Sequence, residues 1–151
     1  MTIHLTSPAF AEGETIPRRH TCDGEDRSPP LAWSGLPEGT VELGLVVDDP
    51  DAPRGTFVHW VVWGLDPAAG GLAEGDVPQG AQQGRNGFGK QGYGGPCPPK
   101  GDEPHRYVFT LFAVSEPFSL EAGASADDVK RAVADRLLGQ GRLVGRYGRI
   151  R

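Results

Sequence analysis

Two histidines at the entry to apolar segments, His59 in "FVHWVVWGL" and His105 in "PHRYVFTLFAV", are the side chains best suited to chemistry in this 151-residue chain. Asp49 and Asp51 precede the first in "DDPDAP", Tyr107 follows the second, and Cys97 stands between prolines in "GGPCPP". Four chemistries could draw on this set. Two histidines and a carboxylate resemble a facial metal triad, but no tight ligand spacing such as H-E-x-x-H accompanies them, so no metal or other cofactor is expected. Cys97 beside a histidine could act as a nucleophile, yet no helix N-terminus is in place to lower its pKa. Asp49 and Asp51 could serve as paired carboxylates, although Asx turns beside Pro50 and Pro53 account for them more simply.

The fourth chemistry, an anion pocket, uses most of these parts together. The amides of Gly92, Gly94 and Gly95 could form a concave nest for a phosphate, with the prolines stiffening its walls. His59, His105 and the Tyr107 hydroxyl would donate to the ligand, and Asp49 would fix the tautomer of a histidine. If Asp49 instead keeps a histidine protonated, anions should bind better near or below a pH of about 6.5.

Three segments with β-branched and aromatic residues must position these groups: "VELGLVV" from Val41, "FVHWVVWGL" from Phe57 and "RYVFTLFAV" from Arg106. Simple alternation places His59 on one face with Phe57, Val61 and Trp63, and Val58, Trp60 and Val62 on the other. In the third segment Tyr107, Phe109, Leu111 and Ala113 oppose Val108, Phe112 and Val114. Apolar residues on both faces imply central strands covered on both sides. Weaker strands are expected at Ile3 to Leu5 and Leu143 to Tyr147. One helix is expected, capped by Ser125, with Asp127 and Asp128 at its N-terminus and Val129, Ala132, Val133 and Leu137 at helical spacing before Gly139. Long connections remain at Glu12 to Ser34, at Asp66 to Gly92 and in the proline-rich stretch around Cys97, where binding loops are expected. The glycine-rich run holding Arg85, Asn86, Phe88, Lys90 and Tyr93 should flank the pocket.

With 23 glycines and 14 prolines among persistent apolar runs, the chain reads as a single, mostly β domain over residues 1–151 with many turns. The net charge of −5 opposes a general nucleic-acid or anionic-membrane surface. Arg142, Arg146, Arg149 and Arg151 concentrate positive charge near the end of the chain, where a solvated tail is the simpler reading. No stretch is apolar and long enough to span a bilayer and the N-terminus does not read as a secretory leader, so a cytoplasmic location is expected. In that compartment Cys22 and Cys97 should be free thiols, although a single disulfide is compatible with the sequence.

Taken together, "DPDAP", the "HW" at His59 and "GGPCPPKGDEPHRYVF" resemble the phosphatidylethanolamine-binding protein family. "CDGEDRSPPLAW" and "LVGRYGR" are similar to its bacterial and archaeal, Raf kinase inhibitor-like branch. The resemblance covers nearly the whole chain. It implies a β-sandwich of mainly antiparallel sheets with one or two short peripheral helices, and a small pocket for phosphate, acetate or phosphorylated head groups. By motif position it implies ligand contacts from Asp49, Pro53, His59, Gly95, Pro96, His105 and Tyr107, a cis Ala52–Pro53 bond, and the approach of Cys22 to Cys97. The function implied is a non-catalytic binding module that regulates a kinase or protease. A hydrolase or lyase using Asp49, His59 and His105, and a vestigial pocket whose loops serve homodimerisation, are the competing readings.

Overall fold

The strands form because runs such as Leu45–Val47 and Trp60–Trp63 are apolar and rich in β-branched or aromatic residues, and must be hidden from water on both faces. In the computed structural model, which describes residues 3–150, they assemble into two antiparallel sheets. The larger sheet contains β3 (Glu42–Asp49), β4 (Phe57–Leu65), β6 (Gln82–Gln83), β7 (His105–Val114) and β8 (Leu137–Tyr147), in the order β6-β4-β3-β7-β8. The smaller has β1 (His4–Thr6), β2 (Leu31–Ser34) and β5 (Gly71–Leu72), with β2 central. Between the sheets lies a core of Leu5, Phe10, Ile16, Trp33, Leu45, Trp60, Phe109 and Leu111. Burying each large side chain there contributes about 1.5–3 kcal/mol.

The outer face of the larger sheet carries a second cluster, in which Val46, Val61, Trp63, Phe112 and Val114 meet Ala126, Val129 and Val133 of α1 (Ala126–Val133). Ser125 and Asp128 close a reciprocal capping box at the start of this helix. Leu137 does not continue it. The helix stops at Val133, a short turn follows, and Leu137 opens β8 with 41% of its surface exposed, because the chain must turn back to pair with β7. β8 is accordingly an 11-residue strand, longer than the Leu143 to Tyr147 segment expected from the sequence. Its Gly145 has no room for a side chain, since a Cβ would come within 2.5 Å of Ile16.

Alternation misplaces His59. Val47 pairs with Trp60 and Asp48 with Val58, leaving His59 as the extra residue of a β-bulge. The bulge turns both His59 and Trp60 to the inner face, while Val58, Val61 and Trp63 face α1. His59 therefore shares a face with Tyr107, not with Val61 and Trp63.

The other departures lie in loops. Peptide bonds of the described residues are all trans, including Ala52–Pro53. Pro53 sits at the second position of a turn closed by Gly55 N–H to the Ala52 carbonyl at 3.1 Å, a place its fixed φ suits without isomerisation. Cys22 and Cys97 are joined in a disulfide, so the expectation of free thiols is corrected: folding brings their Cα atoms to 5.4 Å.

Candidate functional site

Because β3 runs antiparallel to both β4 and β7, its C-terminal end lies beside the first residues of each, which collects Asp49, Phe57, His59, His105 and Tyr107 at one end of the larger sheet. They line a cavity of about 190 Å³, completed by Ala52, Pro53, Phe88 and the strap Cys97–Pro98–Pro99. A larger groove of about 660 Å³ lies over the opposite face, between α1 and the sheet, but its Lys130 is already paired with Asp48 at 3.7 Å. In the smaller cavity one buried polar atom, the Tyr107 hydroxyl oxygen, is left without a hydrogen-bond partner among the described residues.

Each titratable group in that cavity has a definite role. Asp49, 3% exposed, accepts from His105 Nδ1 at 2.6 Å through Oδ2, and through Oδ1 from the Asp51 amide at 2.8 Å, an Asx turn. His105 donates from Nε2 to Asp102 at 3.1 Å. A ring that donates from both nitrogens is an imidazolium. Burial works against that charge, but the bonds to Asp49 and Asp102 outweigh it and raise the His105 pKa above the ordinary histidine range. His59 is the opposite case. Its Nδ1 faces the Gly94 carbonyl at 2.6 Å, so Nδ1 carries the hydrogen, and burial pushes its pKa down. The neutral ring then presents Nε2 as a lone pair, with no hydrogen bond among the described residues. Tyr107 is fully buried, its hydroxyl makes no hydrogen bond of ordinary geometry among the described residues, and burial together with the nearby Asp49 carboxylate holds it protonated. The mouth is aromatic: Phe88, 48% exposed, packs edge-on against Phe57 at 4.8 Å and His59 at 5.7 Å. Asn86 fixes the loop that carries it, accepting from the Phe88 and Lys90 amides and donating to the Gly92 carbonyl.

Of the residues singled out in the sequence, Asp49, Pro53, His59, His105 and Tyr107 meet at the cavity, whereas Gly95 and Pro96 lie behind its wall. The expected glycine nest is not free to hold an anion. Gly92 N–H is donated to the Gly84 carbonyl at 3.4 Å, Gly94 N–H to the His59 carbonyl at 2.9 Å and Gly95 N–H to Asp26 Oδ1 at 2.8 Å. These segments are instead tied down: the Pro96 carbonyl accepts from the Cys22 amide at 3.1 Å, and the Tyr93 hydroxyl donates to the His20 carbonyl at 2.6 Å. Asp51, read as a turn former, also clamps Arg106 through both oxygens at 2.8 and 2.9 Å, which holds its pKa at about 2.

Asp102 and Asp26 were missed in the sequence. Asp102 lies three residues before His105 with Pro104 between them, a spacing that could have suggested a carboxylate folding back on the ring. Asp26 holds a left-handed conformation with φ of 59° to reach Gly95, and no local signal marks it. Lys90 does not line the cavity, and Arg151 lies outside the described residues. Among the described residues no His, Cys, Asp and Glu side chains are grouped as a set of metal ligands.

Residues 6–148 match the family model described as phosphatidylethanolamine-binding protein. The chain belongs to this family. A UPF0098 protein of Aquifex aeolicus is 47% identical, with 97% of this chain and 89% of that protein covered. A phosphatidylethanolamine-binding protein homologue from Chlamydia trachomatis, CT736, superposes with a TM-score of 0.92 at 37% identity and 98% coverage of both chains. A Mycobacterium tuberculosis protein named "Putative lipoprotein LppC" is 46% identical over 95% of this chain and 71% of its own length.

Proposed function

We propose that this family member is a binding module for a small, protonated phosphate-type anion, held at the cavity by Tyr107 and His59. The observation that carries the reading is the Tyr107 hydroxyl, buried in the cavity wall without a hydrogen-bond partner among the described residues. An unsatisfied buried donor costs about 1–3 kcal/mol, which a ligand oxygen would recover. The Asp49–His105–Asp102 cluster carries a net charge of −1, so the anion must be recognised by individual atoms rather than by a positive field. Tyr107 offers a donor and neutral His59 an acceptor. That pair suits a phosphate oxygen set in which one oxygen still bears a proton, with an apolar substituent resting on Phe88 and Phe57. Binding is favoured over hydrolysis because Cys97 is bridged and His105 holds its proton between two carboxylates.

The bridge also bears on location. Disulfides persist in oxidising compartments and are rare in the cytosol, so the reading here is an extracytoplasmic site of action rather than the cytoplasmic one expected from the sequence. No helix among the described residues is long and apolar enough to cross a membrane.

The test is a calorimetric titration with inorganic phosphate and with sulfate near pH 6. Phosphate should bind saturably and sulfate, lacking a proton to give His59, about tenfold more weakly. Equal affinities, or no heat with either, would overturn the proposal.

A further inference from the structure

The binding reading gives the Cys22–Cys97 bridge no task beyond bracing, yet its surroundings are unequal on the two sides. Both cysteine residues are exposed. Cys97 stands in the cavity wall, and Arg149 Nη1 donates to its Sγ at 3.5 Å while also reaching the Pro98 carbonyl at 3.3 Å. Arg149, Arg18 and Lys100 line an adjoining depression of about 350 Å³ around Asp23, which directly follows Cys22 in sequence. Arg149 Nε is paired with Asp23 at 3.3 Å, so the two charges offset each other in part; the asymmetry that remains is the Nη1 donor directed at Cys97 Sγ, which a thiolate forming there would use and one forming on Cys22 would not. Exposed bridges are the reducible ones, and in thiol exchange the sulfur with the lower pKa leaves faster.

We propose that Cys22–Cys97 is a thiol-exchange site, opened at Cys22 by a small monothiol of the glutathione class, and that opening it loosens the cavity. The incoming thiolate attacks Cys22 Sγ and forms a mixed disulfide there. The Cys22–Cys97 bond breaks and its electron pair leaves on Cys97 as a thiolate beside Arg149. A second thiolate then displaces Cys22, so that two small thiols are oxidised to one disulfide and the protein gains two thiols. The strap Cys97–Pro98–Pro99 loses its covalent tie, while the Gly95–Asp26 and Tyr93–His20 bonds continue to hold the segment behind it. The second half of this proposal rests on the ligand reading above; the first does not.

The experiment treats the full chain with excess reduced glutathione, quenches with acid, blocks remaining thiols and locates adducts by peptide mass spectrometry. In parallel, phosphate is titrated into the bridged protein and into protein kept reduced. Glutathione should be found on Cys22 with Cys97 free, Arg149→Gln should open about fivefold more slowly, and the reduced protein should bind phosphate about tenfold more weakly. Adducts mainly on Cys97, or an unchanged rate in Arg149→Gln, would overturn the assigned direction of attack. Equal phosphate affinity in both forms would overturn the coupling to the cavity. Should the bridged protein take no phosphate, the ligand reading falls with the coupling, and the adduct positions alone decide the exchange site.

Discussion

His105 and Asp49 form a buried ion pair, Nδ1 to Oδ2 at 2.6 Å, with the two side chains 5% and 4% exposed. A histidine whose folded pKa is raised contributes stability that is complete below its unfolded pKa of about 6.5 and is lost as pH rises through the folded value. Asp49→Asn removes the charge that favours the imidazolium. The variant should therefore be less stable than the parent by about 3 kcal/mol at pH 5.5, with the gap narrowing as pH rises past the parent's raised histidine pKa. Denaturant melts across pH 5 to 9 test this; a gap that stays constant over the range would mean that the imidazolium is not what the pair stabilises.

The neutral state of His59 makes a different prediction for the ligand. Burial depresses its pKa, so near neutral pH the ring accepts at Nε2 and the phosphate must supply the proton. A phosphomonoester, with its second pKa near 6, loses that proton as pH rises. Its monoprotonated fraction falls from about one half at pH 6 to about one hundredth at pH 8, so its affinity should fall about fiftyfold over that range. Tyr107→Phe should cost about tenfold at both pH values by removing a hydrogen bond to a charged group. Affinity that is flat with pH in the parent protein would remove His59 from the contact.

How much of this could be read in the sequence depends on the range of the signal. The three central strands were legible because their apolar runs are long, and α1 because Ser125 and its acidic first turn announce it. The face of His59 was not, since a bulge depends on how Asp48 and Trp60 find partners on neighbouring strands and leaves no mark in the run itself. Asp49, His59, His105 and Tyr107 could be selected as polar residues at strand ends. The glycine nest failed for the opposite reason: glycine permits an amide to face a ligand, but Asp26, far away in the chain, claimed the Gly95 amide. Leu137 kept helical spacing while belonging to β8, because periodicity persists for a residue or two after the backbone has turned.

Gly95 tests the brace behind the cavity. An added Cβ would stand within 2.3 Å of Asp26 Oδ1 and 2.4 Å of the His20 carbonyl, so the two segments must separate. Gly95→Ala should destabilise the protein by about 3 kcal/mol and perturb the His59 resonances through Gly94. Asp26→Ala, which deletes the acceptor without a clash, should cost about 1–2 kcal/mol. A fully stable Gly95→Ala variant would show that the loop holding Asp26 and His20 yields freely and does not brace the site.

The bridge itself sets the last expectation. Cys22 and Cys97 are 75 residues apart, and closing a loop of that size removes unfolded-state entropy worth about 4 kcal/mol at room temperature. For a domain of this size, such a loss corresponds to a fall in Tm of roughly 10 °C. Thermal melts with and without dithiothreitol measure it directly, and Cys22→Ser should reproduce the effect of the reductant. The network of Tyr93, Asp26 and the Pro96 carbonyl is non-covalent and survives reduction, so the reduced protein should still melt cooperatively. A melting point unmoved by reductant would mean that these contacts already restrict the unfolded chain or that the bridge strains the native loop. A loss of cooperativity would instead show that the bridge, and not the hydrogen bonds around it, holds the 17–30 segment on the sandwich.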